Sequence, residues 1–584
     1  MLSRHSHLAG KENDMTVPVI QSRNHPSPHG GGIHGAGGIR GDNSAPEPPH
    51  FDGRFGRIFR FLPAAHWEKK ALLKLGKAMI SDAERDKKNR DLPAASLETS
   101  KRIQDDEENA GIPAGYTYLG QFIDHDITFD PASSLQQWND PYALLDYRTP
   151  CLDLDSLYGR GPDDQPYMYD GKKFRLGRPL FENTTSPKVH DLPRYIDLHH
   201  PKAANRALIG DKRNDENVIV AQLHAAMMQF HNKLVDRHPK ASFRDIQKQV
   251  RWHYQWIVVN DFLIKICGKK VVHDVLPHLG KNCPIWEDPP RLVFFKYREF
   301  PFMPVEFSVA AYRFGHSMVR PVYRLNTKLD GGLDPQKETA DEERRGINGR
   351  FFIFAGVHGR GLNGFDQIDQ KLAIDWSLFF DINGSIKNGG IKRVQPAYKI
   401  DTSLVNPLGF LPEFSERALK SGDLTITALQ SAPVDPINDP ANLAQRNLLR
   451  GLSMGLPSGQ DVARAMGVEP IKEENLKVGR AVVKDFPNNP TLESFSPSFK
   501  DNAPLWFYVL AEAQYEWFLR AKKGGKGDEE PVHLGRVGGR IVAETLIGLL
   551  WSDGSSYLRQ APNWKPDPDL HIRSMGDLIS FALK

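Results

Sequence analysis

The most informative segment of this 584-residue chain reads Gly120-Gln121-Phe122-Ile123-Asp124-His125-Asp126. On a helix, Gln121, Asp124 and His125 are three and four positions apart and share one face, whereas Asp126 points elsewhere. A lone histidine between two acids is more often structural than catalytic. The meaning of this segment therefore depends on the rest of the chain.

Hydrophobic spacing predicts that the segment lies in one of several helices. Alternating patterns that would indicate strands are few and short. We therefore expect a large, mainly α-helical fold with few short strands. The predicted helices cover residues 66–86, 115–127, 215–236, 304–320 (stopped by Pro321), 442–450 (ended by Gly451), a stretch that follows Pro504, and 540–551.

The organisation along the chain suggests one globular body behind a flexible arm. Residues 1–50 are rich in Gly, His, Pro and Ser, a composition that buries too little apolar area to offset the entropy of ordering. Histidines such as His25, His29 and His34 offer a metal-binding alternative, but a disordered tail is the simpler interpretation. Residues 51–584 are expected to form a single catalytic domain, with loops at 149–166, 328–349 and 524–530.

The composition excludes several classes of protein. Hydrophobic residues make up 40% and charged residues 25% of the chain, as in ordinary globular proteins. The 76 basic and 72 acidic residues nearly balance, which argues against a nucleic-acid partner. The three cysteines, Cys151, Cys267 and Cys283, are far apart and form no CxxC pair, so neither a disulfide framework nor a zinc site is expected.

No run of about 18 apolar residues occurs, so no transmembrane segment is expected. The N-terminus lacks the apolar centre of a secretory signal. A cytoplasmic location is the default expectation, with signal-less export left open.

Other polar residues recur at helical spacing. Arg313-Phe314-Gly315-His316 falls on the helix predicted to end at Pro321, and two histidines on separate helices can bracket a flat cofactor. Gly210-Asp211-Lys212-Arg213-Asn214-Asp215-Glu216 precedes a long helix, with Arg213 and Glu216 three apart. Asn447 and Arg450 are also three apart on one helix.

These segments, in this order, resemble the animal-type haem peroxidases of the peroxidase–cyclooxygenase superfamily, in particular their bacterial members. The resemblance extends from about Tyr116 to Leu558, because the late VGGRIVAETLIGLL…SSYLR stretch is also similar. It implies a helical fold with haem b between the helices of His125 and His316. The matched positions imply a distal histidine (His125), a proximal iron ligand (His316), a distal arginine (Arg213), a partner of the proximal imidazole (Asn447), a propionate partner (Arg450), a distal glutamine that holds water or halide (Gln121), and two carboxylates that form haem esters in mammalian members (Asp124, Glu216).

The chemistry explains these residue types. Peroxide must lose a proton from one oxygen and gain one on the other before the O–O bond breaks, and a neutral imidazole can move that proton. A permanently charged arginine stabilises the negative charge on the departing oxygen. The Asn447 carbonyl is expected to orient His316 and raise its basicity. Asp124 and Glu216 could instead be ordinary helix-surface acids, and Arg450 an ordinary surface arginine.

The resemblance also implies a calcium site beside the distal histidine. Calcium prefers six to eight oxygen ligands, and the loop that ends before Ser156 can supply several. The position of Asp155 is commonly serine in mammalian members, so it is the least secure of these ligands. The implied set is Asp126, Thr149, the Cys151 carbonyl, Asp153 and Asp155.

Two departures from the mammalian pattern exclude covalent links that some mammalian members have. Asn217 occupies a position where one subgroup has methionine, so that subgroup's sulfonium link to haem is not expected. The disulfides of the secreted mammalian enzymes are absent as well.

The predicted reaction is reduction of hydrogen peroxide or an organic peroxide, coupled to oxidation of a small donor such as a halide, thiocyanate or a phenol. One alternative is a fatty-acid dioxygenase of the same superfamily. Such enzymes carry a tyrosine three residues before the proximal histidine, where this chain has Arg313, with Tyr312 one position further away. The other alternative is a non-catalytic haem- and calcium-binding protein, which the intact set of His125, Arg213 and His316 disfavours.

Overall fold

A computed structural model describes most of the chain, in twelve stretches. The predicted arm at residues 1–50 and the predicted loop at 328–349 lie outside them. The described residues are 55–81, 107–128, 148–180, 189–195, 205–281, 283–297, 301–326, 350–354, 361–382, 393–411, 437 and 440–584.

The described residues are mainly helical, which confirms the predicted fold class. The α-helices are α1 Lys69–Ala78, α2 Gly115–Ile127, α3 Asp155–Tyr158, α4 Val218–Arg237, α5 Phe243–Ile257, α6 Leu263–Val275, α7 Pro277–Lys281, α8 Leu443–Ser453, α9 Gly459–Ala465, α10 Leu505–Gly524, α11 Arg536–Ser552, α12 Tyr557–Gln560 and α13 Met575–Leu583. A π-helical segment, Val258–Phe262, joins α5 to α6.

The strands of the described residues are short and pair only two at a time. The pairs are β1 Phe55–Gly56 with β7 Met303–Pro304 (parallel) and, all antiparallel, β2 Glu108–Pro113 with β10 Pro396–Tyr398, β3 Tyr169–Asp170 with β4 Lys173–Phe174, β5 Arg194–Tyr195 with β6 Arg206–Ala207, and β8 Val322–Arg324 with β9 Arg350–Phe352. They connect the helices and build no sheet layer of their own.

One apolar core runs through the described helices. Helices α4, α10 and α11 are buried around most of their circumference, as expected for helices in the middle of a large domain. Helix α11 packs along α6, and α1 packs along α8. Helix α2, which carries His125, packs against α4, which anchors it to the interior of the domain.

The start of α4 shows why Glu216 lies outside a helix. A 3-10 turn, Lys212–Asp215, precedes α4, and Asn217 ends the irregular segment by accepting hydrogen bonds from the backbone N–H groups of Ile219 (3.0 Å) and Val220 (2.9 Å). This is an ordinary N-terminal cap. Glu216 therefore lies just before α4, as predicted. The helix begins at Val218, whereas the sequence pattern predicted a start at residue 215.

The segment that carries His316 differs from the prediction. A single α-helix was expected over 304–320, but the chain forms a π-helical stretch, Glu306–Ala310, followed by a 3-10 stretch, Ala311–His316. Ala310, with φ −126° and ψ −78°, separates them. The buried Glu306 carboxylate accepts backbone N–H groups of Ile58 and Phe59, both at 3.1 Å, which ties this segment to the start of the domain. Apolar spacing alone does not reveal such a tertiary constraint.

The helix containing Asn447 also differs slightly, because α8 continues through Gly451 and ends at Ser453. Within the described stretches, no helix combines the length and apolar character needed to cross a membrane.

Close packing at Gly548 leads to a stability prediction. A Cβ atom there would lie 2.2 Å from Cδ1 of Phe295, a fully buried ring whose backbone N–H donates to Glu544 Oε2 at 2.9 Å. We expect Gly548→Ala to destabilise the protein by about 1–3 kcal/mol through overpacking, offset by up to about 1 kcal/mol of helix propensity. Urea unfolding would measure the difference.

The matched control is Gly524→Ala at the end of α10, where an added Cβ meets nothing within 4 Å. This variant should be as stable as the wild type, or slightly more stable. Equal unfolding midpoints for Gly548→Ala and the wild type would contradict the packing argument.

Candidate active site

A cavity of about 820 Å³ brings together residues from both histidine motifs. Its lining includes Gln121, Asp124 and His125 from one face of α2, as the spacing predicts, and Tyr312, Arg313 and His316 from the 3-10 segment. The other lining residues are Tyr116, Thr117, Tyr118, Gly120, Glu216, Asn217, Ser308, Phe314, Gly315, Met318, Val319, Ile353, Phe354, Asn363, Gly364, Phe365, Leu408, Leu411 and Leu443.

His125 is buried, and each of its ring nitrogens has a different surrounding. Nδ1 lies 2.9 Å from Oδ1 of Asn214, and Nε2 lies 3.6 Å from Oε1 of Glu216 at the cavity wall. Burial and, secondly, the positive charge of Arg213 lower the pKa of His125 to about 3. The imidazole is therefore neutral at physiological pH.

Glu216 and Gln121 form a small polar network on the same side of the cavity. Gln121 Nε2 donates to Glu216 Oε1 through a short hydrogen bond, and Asn217 Nδ2 donates to Gln121 Oε1 at 3.1 Å. Burial raises the pKa of Glu216 to about 7 and also raises the pKa of Asp124. Both carboxylates line the cavity, where the predicted haem contacts require them; ester formation stays a prediction.

Arg213 lies beside the cavity rather than in its lining. Its Nη2 donates to the backbone carbonyls of His125 (3.1 Å) and Thr128, and to Asp211 Oδ2 at 2.8 Å. Burial alone would raise the pKa of Asp211, but the guanidinium groups of Arg213 and Arg148 more than offset it and hold that pKa well below its usual range. The predicted role of Arg213 in stabilising a departing oxygen would require its guanidinium to move away from Thr128.

His316 is held by Asn447, as predicted, but the atoms differ. Asn447 Oδ1 accepts from Arg313 Nη1 at 2.9 Å, which leaves its amide nitrogen 2.7 Å from His316 Nδ1. The amide NH2, rather than the expected carbonyl, thus faces Nδ1, and this orientation puts the hydrogen of the neutral ring on Nε2. Burial and the charge of Arg313 lower the pKa of His316 to about 3, so this ring is also neutral. Nε2 would bind a metal once the Asn447 amide is turned so that its oxygen accepts from Nδ1.

Tyr312 and Arg450 complete the set of predicted residues. Tyr312 lines the cavity, donates to the Gly120 carbonyl at 3.2 Å and stacks on Phe307 with ring centroids 4.5 Å apart. Arg450 is buried on α8 but does not line the cavity. Its predicted contact with a haem propionate stays a prediction.

The predicted calcium residues form a buried cluster behind His125. One carboxylate oxygen each from Asp126, Asp153 and Asp155 lies within 4.8 Å of the others. Leu154, with φ +57°, makes the turn between the two loop carboxylates, and its N–H donates to Asp126 Oδ2 at 3.2 Å. Thr149 Oγ1 donates to Asp153 Oδ2 at 3.3 Å, and Cys151 is buried in the same loop.

Burial together with mutual repulsion raises the pKa of Asp126, and burial raises that of Asp155 to about 7. These shifts have the sign expected of carboxylates that lack a compensating cation. Arg148 supplies part of the compensation, since its Nη1 lies 2.7 Å from Asp155 Oδ1 and its Nη2 lies 2.7 Å from Asp211 Oδ2. Buried carboxylates packed this closely fit a hard divalent cation.

Sequence reasoning assigned no role to several residues that build the site. Asn214 and Asp211 lie inside the Gly210–Glu216 motif, so attention to every polar residue of that motif would have found them. Arg148 directly precedes the acidic loop. No motif in the sequence marks the segment around Gly364 as part of the site. The Gly364 N–H nevertheless donates to the Glu216 carbonyl at 3.0 Å, and the Phe365 N–H donates to the Asp215 carbonyl at 2.7 Å.

Two motif histidines facing one cavity, with buried carboxylates behind one of them, are the features that the resemblance implies. Residues 135–345, about a third of the chain, match the family model described as animal haem peroxidase. The matched range contains Arg213, Glu216, His316 and the acidic loop, while His125 lies outside it. A match to this family implies a haem cofactor and an oxidoreductase.

Individual relatives are distant. A peroxidase-like protein of Margaritifera margaritifera is 26% identical over 177 residues, which cover 29% of this chain and 21% of the relative. Peroxidase A of Dictyostelium discoideum superposes with a TM-score of 0.47 at 14% identity, covering 86% of this chain and 93% of that one. A fatty acid alpha-dioxygenase of Arabidopsis thaliana gives a TM-score of 0.48 at 12% identity, covering 89% and 74%.

Proposed function

We propose that this protein is a haem peroxidase that reduces hydrogen peroxide or an organic peroxide and oxidises a small donor such as a halide, thiocyanate or a phenol. The observation that carries the proposal is a shared arrangement of two histidines. Each ring lines the common cavity and has its Nδ1 within hydrogen-bond distance of an asparagine, the oxygen of Asn214 at His125 and the NH2 group of Asn447 at His316.

The donor set fits the cofactor. His316 would hold the haem iron with the Asn447 amide turned so that its oxygen accepts from Nδ1, and Asp124 and Glu216 line the same cavity. When bound, haem supplies the capacity to store two oxidising equivalents. His125 Nε2 takes a proton from one peroxide oxygen and returns it to the other, while Asn214 holds the ring in place.

The test is to express the chain with a supply of haem and to record its absorption spectrum before and after addition of hydrogen peroxide. We expect a Soret band that shifts with peroxide and returns when iodide, thiocyanate or guaiacol is added. Absence of haem binding would contradict the proposal. A Soret band without a peroxide response would favour the non-catalytic alternative.

The dioxygenase alternative rests on Tyr312, which lines the cavity four residues before His316. Oxygen consumption with linoleate or arachidonate would support it. Oxidation of donors with peroxide, and no oxygen uptake with either fatty acid, would support the peroxidase. A Tyr312→Phe variant adds a check, because it should lose oxygen uptake in a dioxygenase and keep donor oxidation in a peroxidase.

We also propose that Asp126, Asp153 and Asp155, with Thr149 and the Cys151 carbonyl, bind calcium. The cation would offset repulsion among the buried carboxylates and hold the backbone beside His125. Because a ligand that binds only the folded state stabilises it, calcium at 100 times its Kd should add about 2.7 kcal/mol to the free energy of unfolding. Thermal unfolding after dialysis against EGTA, with and without added calcium, measures this effect.

Asp153→Asn should lose most of the calcium response, whereas Asp170→Asn, at an exposed strand residue, should keep it. An equal rise in melting temperature for the wild type and Asp153→Asn would overturn the assignment. So would the absence of any calcium effect on the wild type.

A further inference from the structure

Asn214 is fully buried on the short turn between the Gly210 motif and α4. Its side-chain Oδ1 lies 2.9 Å from His125 Nδ1. The question is whether the contact determines which nitrogen of His125 carries the hydrogen.

The turn that carries Asn214 is anchored on both sides. The Asn214 N–H donates to the Asp211 carbonyl at 3.1 Å, and Asp211 Oδ1 accepts the Arg213 N–H at 2.8 Å. On the other side, both Asp215 carboxylate oxygens accept from Arg194, each at 2.8 Å. Asn214 is therefore presented to His125 by a rigid backbone.

An amide oxygen can only accept a hydrogen bond. With Oδ1 facing the ring, Nδ1 must carry the hydrogen, and Nε2 of the neutral imidazole keeps its lone pair. Nε2 is the nitrogen on the cavity side, 3.6 Å from Glu216 Oε1. If the Asn214 amide were turned, its NH2 group would donate to Nδ1 and the ring hydrogen of His125 would sit on Nε2. Nε2 could then not take up a proton.

We propose that Asn214 is a positioning residue that fixes both the tautomer and the orientation of His125, so that the cavity-facing Nε2 can accept a proton. The geometry of the contact is independent of the cofactor. Its catalytic consequence rests on the proposed peroxidase function. The experiment therefore has one arm without haem and one arm with it.

The first arm reads the tautomer directly by ¹⁵N NMR of the full-length, haem-free protein labelled on histidine, with His125→Ala to assign the signals. At one near-neutral pH, we expect Nδ1 of His125 to be protonated in the wild type and in Asn214→Asp, which keeps an accepting oxygen. Asn214→Leu should shift the ring toward protonation at Nε2. A wild type protonated at Nε2, or an unchanged tautomer in Asn214→Leu, would overturn the proposal.

The second arm uses cyanide, which binds ferric haem as the anion and so needs a proton acceptor nearby, without peroxide turnover. At a single pH, Asn214→Leu should bind cyanide and react with peroxide roughly 10–100-fold more slowly, in the range of orienting partners. Asn214→Asp should restore most of the cyanide rate. Equal slowing in both variants would indicate a structural role and overturn the proposal.

The control is Asn260→Leu, at a half-buried asparagine whose amide bonds the Trp256 carbonyl at 3.0 Å, outside the cavity lining. Its cyanide rate should match the wild type. A wild type that binds cyanide and ignores peroxide would disprove the proposed function, while the tautomer and cyanide arms would still decide the role of Asn214.

Discussion

His316→Ala is expected to lose most of its haem when expressed beside the wild type. The substitution removes the imidazole that lines the cavity on the Asn447 side and whose Nε2 would bind the iron. If the lost bond contributes at least about 1.4 kcal/mol, haem affinity falls roughly tenfold or more. The Soret absorbance relative to protein absorbance measures the occupancy.

Added imidazole should restore part of this absorbance, because a small ligand can occupy the space that the side chain leaves. The matched control is His273→Ala, another partly exposed histidine, which lies on α6 and does not line the cavity. It should keep full haem occupancy. Normal occupancy in His316→Ala would assign the iron ligand elsewhere and remove the central premise of the site.

His125→Ala should keep haem and react with hydrogen peroxide about 10²–10⁴-fold more slowly, the range that a positioned general acid–base contributes. The reason is the position of Nε2, which faces the cavity while Asn214 holds the opposite nitrogen. Stopped-flow absorption at the Soret band, at a fixed pH and under excess peroxide, gives the rate constant.

His253→Ala serves as the control, since His253 is equally buried but lies on α5, where its Nδ1 bonds the Gln249 carbonyl. This variant should react at the wild-type rate even if its stability falls. A wild-type rate in His125→Ala would show that another group moves the proton. The Soret band of each variant before peroxide is added should match that of the wild type, which shows that any change in rate does not come from loss of haem.

The distal side of the site was largely predictable from local sequence. Gln121, Asp124 and His125 are on one helical turn, so their common face follows from a spacing of three and four residues, and all three line the cavity. Asp126 is turned away by the same geometry and joins the acidic loop. The register of α2 places Asp126 toward that loop, and the left-handed turn at Leu154 brings Asp153 and Asp155 to meet it.

The proximal side was less predictable. Apolar spacing over 304–320 indicates a regular helix, yet the chain there is π-helical and then 3-10 helical, and its Glu306 is held by the backbone of Ile58 and Phe59. The orientation of the Asn447 amide likewise depends on Arg313, whose Nη1 donates to Oδ1 from another part of the chain.

The helical class, the two histidines and the acidic loop were predictable from the sequence, since each depends on spacing within a few residues or on a motif. The contacts of Asn214 with His125, of Arg148 with Asp155 and Asp211, and of Arg213 with backbone carbonyls beside the cavity follow from the packing of the folded chain. These contacts join residues far apart in the chain. Their partners are set by how the helices pack, and packing leaves no periodic signal in the sequence.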